Sequence, residues 1–263
     1  MFPKGGRKAE WAKLDRDGGP ESSKSSRVPT RPLSLTDGPV SGRVAGLSEH
    51  PRKPGRYRVA IALSAEALLG EGRRAQETVL VDAAVMQRFK LKVGAELDVE
   101  AGEQLVASAS ALATYDSATA ALALRGRSRR ELERWLMQRK HAAPDIRSAL
   151  DRLDELGFLD DESYARSYAR AKMAGGKTSR RRIAMELSRK GIARDLVDRV
   201  LREAGDEEGF DERGALEAAA ERRARSLSKL EPEVARRRLM GFLLRRGFGG
   251  EEVRKIVQAT FPR

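Results

Sequence analysis

One pattern occurs three times in this chain, and its copies align without a gap: Ser128–Leu150 (SRRELERWLMQRKHAAPDIRSAL), Ser179–Leu201 (SRRRIAMELSRKGIARDLVDRVL) and Ala235–Val257 (ARRRLMGFLLRRGFGGEEVRKIV). Each copy opens with two or more arginines and then places apolar residues at four matched positions. These positions are Leu132/Ile183/Leu239, Leu136/Leu187/Leu243, Ile146/Val197/Val253 and Leu150/Leu201/Val257. The first two positions lie four residues apart, and so do the last two. Four is a helical spacing, so each copy is predicted to form two helices with one apolar face each.

The copies start 51 and 56 residues apart. A period near 50 residues is typical of helical repeat arrays, in which neighbouring units bury what one unit cannot bury alone. One more helical stretch precedes each aligned pair, at Asp116–Arg125, Glu162–Ala174 and Asp211–Leu227. The sequence therefore predicts a mostly α fold: a tandem array of three three-helix repeats, at 114–160, 161–205 and 211–261, forming an elongated curved rod.

Capping residues support these boundaries. Asp116, Ser128 and either Thr178 or Ser179 stand where the N-caps of helices are expected. Glu131 follows Ser128 by three residues, which is the spacing of a capping box. Glycines stand where helices are expected to end, at Gly157, Gly191 and Gly247.

The residues before the repeats have a different character. Residues 1–38 are rich in Gly, Pro, Ser and basic residues and are predicted to be a disordered basic tail. Residues 39–108 are predicted to be a small β-rich module, with strands at Gly55–Leu63 and Glu77–Val81 and a last strand around Leu97 and Val99. Gly70–Gly72 marks a turn in a long connection. Asp82 is a candidate N-cap for a helix over Ala83–Lys90.

Composition limits the classes of function. Of the 263 residues, 40% are apolar and 35% are charged, and no stretch approaches the roughly 20 consecutive apolar residues of a membrane span. The N-terminus lacks an apolar signal segment, so we expect a cytoplasmic protein without a membrane partner. The absence of cysteine excludes disulfides, thiol catalysis and cysteine-ligated metals.

The net charge of +13 favours an anionic partner. Basic residues outnumber acidic ones by 7 to 2 in Arg125–Lys140, by 7 to 1 in Lys177–Arg194 and by 9 to 2 in Arg222–Arg246. These three segments together carry more net positive charge than the whole chain. A solvated Arg/Glu surface would explain any one cluster, but matched positions in three repeats favour a shared functional face.

Three motifs suggest chemistry and are explained better by structure. Gly175–Thr178 resembles the end of a P-loop, but the glycine that the motif requires five residues before Gly176 is Ala171, so a loop followed by an N-cap is favoured. Asp160, Asp161 and Glu162 are adjacent and precede a predicted helix, which favours capping over metal binding. The two histidines, His50 and His141, have no paired spacing. We therefore predict no catalytic residue, no metal ligand, no cofactor and no enzymatic activity.

A helix-turn-helix module that reads duplex DNA is a further alternative for the repeats. The positive charge, however, lies on the earlier helix of each pair, whereas the later helices carry carboxylates such as Asp145, Asp195 and Glu251. A recognition helix rich in carboxylates would face phosphates poorly, which disfavours sequence-specific duplex reading. Trp135 and Phe242 share one repeat position, and aromatic residues at helical spacing more often belong to a core than to a base-stacking platform.

Four strings resemble the RecX family, the regulatory proteins of the RecA recombinase. Arg127–Leu132 (RSRREL) resembles the family's S-x-x-E-L opening, and Leu156–Ala165 (LGFLDDESYA) resembles its L-x-x-x-G-[YF]-[LI]-[ND]-D-x-x-[FY]-A signature. Arg189–Ile192 (RKGI) and Leu243–Phe248 (LLRRGF) resemble its K-G-[IV] and L-x-R-[RK]-G-F elements. The strings occur in order across about Thr114–Thr260, and the chain departs from the pattern at Lys140–Ala142 and in the long Ser64–Gln76 connection.

The resemblance implies a non-enzymatic modulator that binds RecA filaments on single-stranded DNA. It would limit filament extension, ATP hydrolysis, strand exchange and co-protease activity, and so modulate DNA repair and the DNA-damage response. A monomer is expected, with DNA phosphates as a further partner. The alternative is a basic helical-repeat nucleic-acid-binding protein with no recombinase partner. The candidate contacts with filament or DNA are the arginines at the matched positions: Arg129, Arg130, Arg180, Arg181, Arg182, Arg236, Arg237, Arg238, Arg245 and Arg246.

Overall fold

The computed structural model describes residues 39–69 and 74–262. The predicted tail at 1–38 and the predicted turn at Gly70–Gly72 lie outside the described residues.

An antiparallel sheet opens the described part of the chain. Its strands are β1 (Gly42–Glu49), β2 (Arg56–Leu63), β3 (Gln76–Asp82) and β4 (Glu96–Leu97), in the order β3-β2-β1-β4. Val59 and Ile61 of β2 are fully buried, as their alternation predicts. Strand β1 was not predicted, because its sequence GRVAGLSE alternates poorly and its pairing contains a bulge between Val44 and Gly46.

The helix predicted after β3 is confirmed as α1 (Ala83–Arg88). Its N-cap is Asp82, whose carboxylate accepts a hydrogen bond of 2.9 Å from the backbone N–H of Val85. Helix α1 ends two residues earlier than predicted.

Nine further helices follow in the described residues, three to each repeat. They are α2 (Val99–Leu124), α3 (Arg129–Gln138), α4 (Ala143–Glu155), α5 (Asp161–Ala174), α6 (Arg180–Arg189), α7 (Arg194–Glu207), α8 (Glu212–Arg225), α9 (Pro232–Arg245) and α10 (Gly250–Thr260). The predicted mostly α fold with three three-helix units is confirmed. All twelve matched apolar positions of the repeats are buried.

Helix α2 corrects two predictions. Val99 begins this helix and is not part of a strand, because the Asp98 carboxylate caps the helix by accepting from the backbone N–H of Ala101 at 2.8 Å. Asp116 is therefore not an N-cap but lies within the 26-residue helix. Its carboxylate instead forms ion pairs with Arg56 at 2.8 Å and Lys53 at 2.9 Å. These pairs link the helix to the start of β2 and the turn before it.

The described residues form four separate hydrophobic cores, one under the sheet and one in each repeat. Helix α2 contributes to two of them. Its Leu105 and Val106 pack under the sheet, whereas Ala118 and Ala121 pack against the other two helices of the first repeat. One helix thus joins the β module to the repeat array.

The glycines predicted at helix ends are confirmed, with positive φ values at Gly157, Gly191 and Gly247. The first repeat differs at the position that matches Gly191, where Lys140 adopts φ +63°. The helix ends in the same way there, because the backbone N–H of His141 donates to the carbonyl of Leu136, as that of Ile192 does to Leu187. The departure of this chain at Lys140–Ala142 therefore leaves the helix end unchanged.

Candidate functional site

The second helices of the three repeats, α3, α6 and α9, meet end to end, and we call them the middle helices. The C-terminal end of α6 contacts the first turn of α3, which forms the first junction. The C-terminal end of α9 contacts the first turn of α6 in the same way, which forms the second junction. The three arginine-rich segments of the sequence are therefore brought into contact, each with the next.

Hydrogen bonds fix each junction through a capping residue. At the first junction the hydroxyl of Ser128 donates to the carbonyl of Lys190 at 2.6 Å. At the second junction the carbonyl of Arg246 accepts from the backbone N–H of Ser179 at 3.2 Å and from the hydroxyl of Thr178 at 3.1 Å. The N-cap of one repeat thus also satisfies the carbonyl at the helix end of the next repeat.

Close packing at the junctions requires glycine. A Cβ atom on Gly247 would lie 2.5 Å from the Ser179 hydroxyl oxygen and 2.7 Å from the Arg182 Cβ. A Cβ atom on Gly191 would overlap the side chain of Arg130. These two glycines therefore end their helices and also allow neighbouring repeats to approach.

The first junction is electrically neutralised. The ammonium of Lys190 lies 2.6 Å from the Glu131 carboxylate, and both side chains are mostly buried. The Tyr164 hydroxyl donates to the same carboxylate at 2.9 Å. Burial alone would raise the pKa of Glu131, but the hydrogen bonds from Lys190 and Tyr164 outweigh it and hold that pKa below its usual value.

The second junction has the opposite electrostatic character. Arg182 occupies the position that matches Glu131, and Arg246 occupies the position that matches Lys190. Arg246 donates to the backbone carbonyl of Lys177 at 2.9 Å and forms no ion pair among the described residues. Two cations thus stand where the first junction has a cation and a carboxylate.

Five of the ten candidate arginines are exposed and form no side-chain hydrogen bond or ion pair within the described residues. They are Arg130, Arg181, Arg237, Arg238 and Arg245. These side chains are distributed over all three middle helices. We call them the exposed arginines.

The other five candidates have partners inside the chain. Arg129 pairs with Asp151, and Arg182 pairs with Glu186 at 2.9 Å. Arg180 and Arg236 donate to the backbone carbonyls of Phe210 and Phe261. The fifth is Arg246, described above. The spacing of Arg182 and Glu186, four residues apart on α6, is visible in the sequence. The sequence could not separate the other four from the exposed arginines, because these partners lie outside their own helices.

Arginines cover the aromatic residues of the middle helices. Trp135 packs against the core of the first repeat, as predicted, and the guanidinium groups of Arg127 and Arg139 lie 5.3 and 4.1 Å from its ring centre. Phe242 packs against the core of the third repeat, with Arg223 at 5.4 Å and Arg246 at 5.0 Å. Both rings therefore pack against a core and interact with arginines of the chain, which favours a structural role over base stacking.

A polar cluster of the second repeat was not predicted. The Tyr168 hydroxyl donates to Glu186 at 2.6 Å, and Lys172 lies 3.3 Å from the same carboxylate. Burial, and then the hydrogen bond to Glu186, raises the pKa of Tyr168. The only signal in the sequence was Glu186 itself, a carboxylate at the position that Trp135 and Phe242 hold in the other repeats.

The structure confirms the structural explanations of Gly175–Thr178 as a loop and of Asp160 as a helix cap. Gly175–Thr178 is the loop between α5 and α6, and Ser179 is the N-cap of α6. Asp160 caps α5 by accepting from the backbone N–H of Ser163 at 2.9 Å. Asp161 accepts from the backbone N–H of Arg129 at 2.9 Å, so this carboxylate links the first two repeats.

Within residues 39–69 and 74–262, no three His, Cys, Asp or Glu side chains are grouped so that they could hold a metal ion. No helix in this described part of the chain is long and apolar enough to cross a membrane.

Comparison with known proteins agrees with this architecture. Residues 160–201 match the family model described as RecX, second three-helix domain, and residues 211–257 match RecX, third three-helix domain. These ranges correspond to α5–α7 and α8–α10. A crystal structure of regulatory protein RecX has the same fold, with a TM-score of 0.58 at 18% identity, and the match covers 82% of this chain and 98% of that one.

Curated relatives have a higher sequence identity to this chain than that crystal structure has. Regulatory protein RecX of Trichlorobacter lovleyi is 34% identical over 134 residues, which are 48% of this chain and 82% of the relative. Regulatory protein RecX of Chlorobaculum tepidum is 32% identical over 143 residues, which are 54% of this chain and 85% of the relative. Identity at this level over most of the relatives' length, together with the repeat architecture, shows that the chain belongs to the RecX family of regulatory proteins.

Proposed function

We propose that this protein binds RecA filaments on single-stranded DNA and inhibits RecA activities: filament extension, ATP hydrolysis, strand exchange and co-protease activity. It would thereby modulate DNA repair and the DNA-damage response in the cytoplasm. Membership of the RecX family supports the regulatory role. The observation that carries the proposal is the end-to-end contact of the middle helices, each of which carries at least one of the exposed arginines.

Repeated cations suit a repeating partner. A filament presents the same surface once per protomer, and three repeats that bind it together gain affinity beyond that of any single contact. Arginine is well suited to this role because its guanidinium pairs with carboxylates of a protein or with phosphates of DNA in the same fork geometry.

The test is the DNA-dependent ATPase of RecA, measured with rising amounts of this protein. We expect inhibition at ratios up to one molecule per RecA protomer. ATP hydrolysis that stays unchanged over that whole range would refute the proposal.

Charge reversal locates the contacts. We expect the triple variant Arg130→Glu, Arg181→Glu and Arg237→Glu to lose most of the inhibition and to keep its helix content by circular dichroism. The matched control is Arg147→Glu, Arg202→Glu and Arg254→Glu, which changes the charge equally at exposed positions on the third helices α4, α7 and α10. Equal loss of inhibition in both triples would show that net charge matters and the middle helices do not.

The basic clusters also favour a second candidate, a nucleic-acid-binding protein with no recombinase partner. Binding to bare DNA falls steeply with salt under either proposal. The two differ in co-sedimentation with RecA filaments at a salt concentration that abolishes binding to bare DNA. Retention on filaments at that salt supports the RecA-directed function, and loss supports the second candidate.

A further inference from the structure

The second junction contains a basic cleft with two lobes. One lobe is a cavity of about 590 Å³ between the C-terminal end of α5, the start of α6 and the end of α9. The other is a cavity of about 450 Å³ between the ends of α8 and α9. Lys177, Phe242 and Arg246 line both lobes, so the two cavities adjoin. We call them together the junction cleft.

Positive charge dominates the junction cleft. Lys172, Arg182 and Arg245 add to the first lobe, and Arg222 and Arg223 add to the second. The only carboxylate among the lining residues of either lobe is Glu186. It is already engaged by Arg182 at 2.9 Å, by Lys172 at 3.3 Å and by the Tyr168 hydroxyl. The remaining cations face the cleft without a neutralising partner among the described residues.

The first junction shows that this charge is not required by the fold. The positions that match Lys177 and Arg182 hold Gly126 and Glu131 there. The cavity beside the first junction, of about 680 Å³, is lined by apolar residues such as Leu122 and Phe158, with one cation, Arg127, and one carboxylate, Asp160. The same helix-to-helix contact is thus built with the Lys190–Glu131 ion pair at one junction and, at the other, with Arg246, which has no carboxylate partner among the described residues.

We infer that the junction cleft binds the phosphodiester backbone of a single nucleic-acid strand, with neighbouring phosphates in its two lobes. A strand carries one negative charge per nucleotide, and two adjoining basic lobes match such a linked series of anions. Arg223 and Arg246 both lie over the Phe242 ring, and the other lining residues are mainly cations, so we expect contacts with phosphates and a recognition that is independent of sequence. The inference deepens the proposed function, on which it rests, because the proposed partner is a filament that holds single-stranded DNA.

Fluorescence anisotropy of a labelled oligothymidylate, with the full chain and without RecA, tests the inference. The variant Arg182→Glu gives the second junction the charge of the first. We expect it to bind the oligonucleotide at least about tenfold more weakly than the parent chain does. The slope of the logarithm of its binding constant against the logarithm of the salt concentration should be shallower by about 0.7 for each phosphate that it no longer neutralises. Lys177→Glu changes an exposed loop residue that lines both lobes, so it should weaken binding without affecting the fold. Arg147→Glu is the control with an equal change of charge and should bind as the parent chain does.

Three results would overturn the inference: no binding by the parent chain, equal affinities of all four proteins, or weakening by Arg147→Glu as large as that by Lys177→Glu. Competition experiments with polyglutamate and with inorganic phosphate show which kind of anion the cleft binds. If polyglutamate displaces the oligonucleotide at the same concentration of charge, the cleft takes an acidic protein segment instead. If inorganic phosphate does so, the cleft takes a free anion only. Because the assay contains no RecA, either failure leaves the proposed inhibition of RecA to be judged by its own ATPase test.

Discussion

A single residue decides the electrostatic character of each junction. Glu131 forms an ion pair with Lys190 at the first junction, whereas Arg182 leaves Arg246 without a carboxylate at the second. The sequence predicted that Glu131 completes the capping box of α3, and the structure confirms it. Its second role was not predictable, because Lys190 lies 59 residues away and nothing in a helical pattern shows which helix ends meet.

Replacing Glu131 with glutamine should lower stability in a pH-dependent way. The pKa of Glu131 is lowered in the folded state, so its contribution is complete above the unfolded pKa and is lost as the pH falls through the folded value. The pKa of Lys190 is raised despite its burial, so its contribution is lost only as alkaline pH passes that value. At pH 7 we expect Glu131→Gln to cost about 1–3 kcal/mol, because glutamine keeps the cap but not the charge.

Urea unfolding from about pH 7 down to pH 3 measures this effect, since the chain and its variant should converge in stability as Glu131 is protonated. Glu155→Gln is the control, because Glu155 is exposed and forms no ion pair among the described residues. A stability difference that stays constant over the whole pH range would contradict the assigned role of the charge.

At the scale of helices and strands, the sequence predicted the repeated elements well and the irregular ones poorly. Apart from α2, the helices of the repeats carry strong periodicity, and their positions were confirmed to within a few residues. Helix α2 was cut short in the prediction because Asp116 is a good N-cap residue by type, and its partners Arg56 and Lys53 lie on a distant segment. Strand β1 was missed because Val44 and Leu47 are its only large apolar residues, and the bulge between Val44 and Gly46 breaks the alternation that predicts a strand.

The glycine at the end of α9 should be far less replaceable than the one at the end of α4. Gly157 and Gly247 both have positive φ, at +71° and +88°, so alanine at either site costs about 1–2 kcal/mol of backbone strain. A Cβ atom on Gly157 meets nothing within 4 Å, whereas one on Gly247 meets Ser179 and Arg182. Overlap of that kind adds about 1–3 kcal/mol.

We therefore expect Gly247→Ala to lower the free energy of unfolding about twice as much as Gly157→Ala, as measured by chemical denaturation. The second substitution controls for the conformational effect alone. Equal losses would show that the second junction can widen to admit a methyl group at no cost.

At the scale of the whole described molecule, the separate cores imply separate units of stability. Each repeat buries its own apolar residues, and hydrogen bonds link neighbouring repeats. Stability in such arrays is the sum of unit and interface contributions. Leu239→Ala, which empties a fully buried site, should cost the third repeat about 2–5 kcal/mol.

Hydrogen exchange measures where that loss falls. Protection should decrease in α8–α10 and stay nearly unchanged in the sheet, because the two regions share no core. Leu244→Ala is the control, since Leu244 is 46% exposed on the same helix. Uniform loss of protection over all described helices would show that the repeats unfold as one unit.

The end-to-end contact of the middle helices gives the array a polarity. Helices α9, α6 and α3 follow one another with the C-terminal end of each against the start of the next. At each contact the negative end of one helix dipole therefore meets the positive end of another. The two ends of this series, the first turn of α9 and the last turn of α3, are consequently not interchangeable. A nucleic-acid strand also has two different ends, and so does a filament built from identical protomers. A line of cations with a built-in direction can match such a partner in one orientation and not in the reverse.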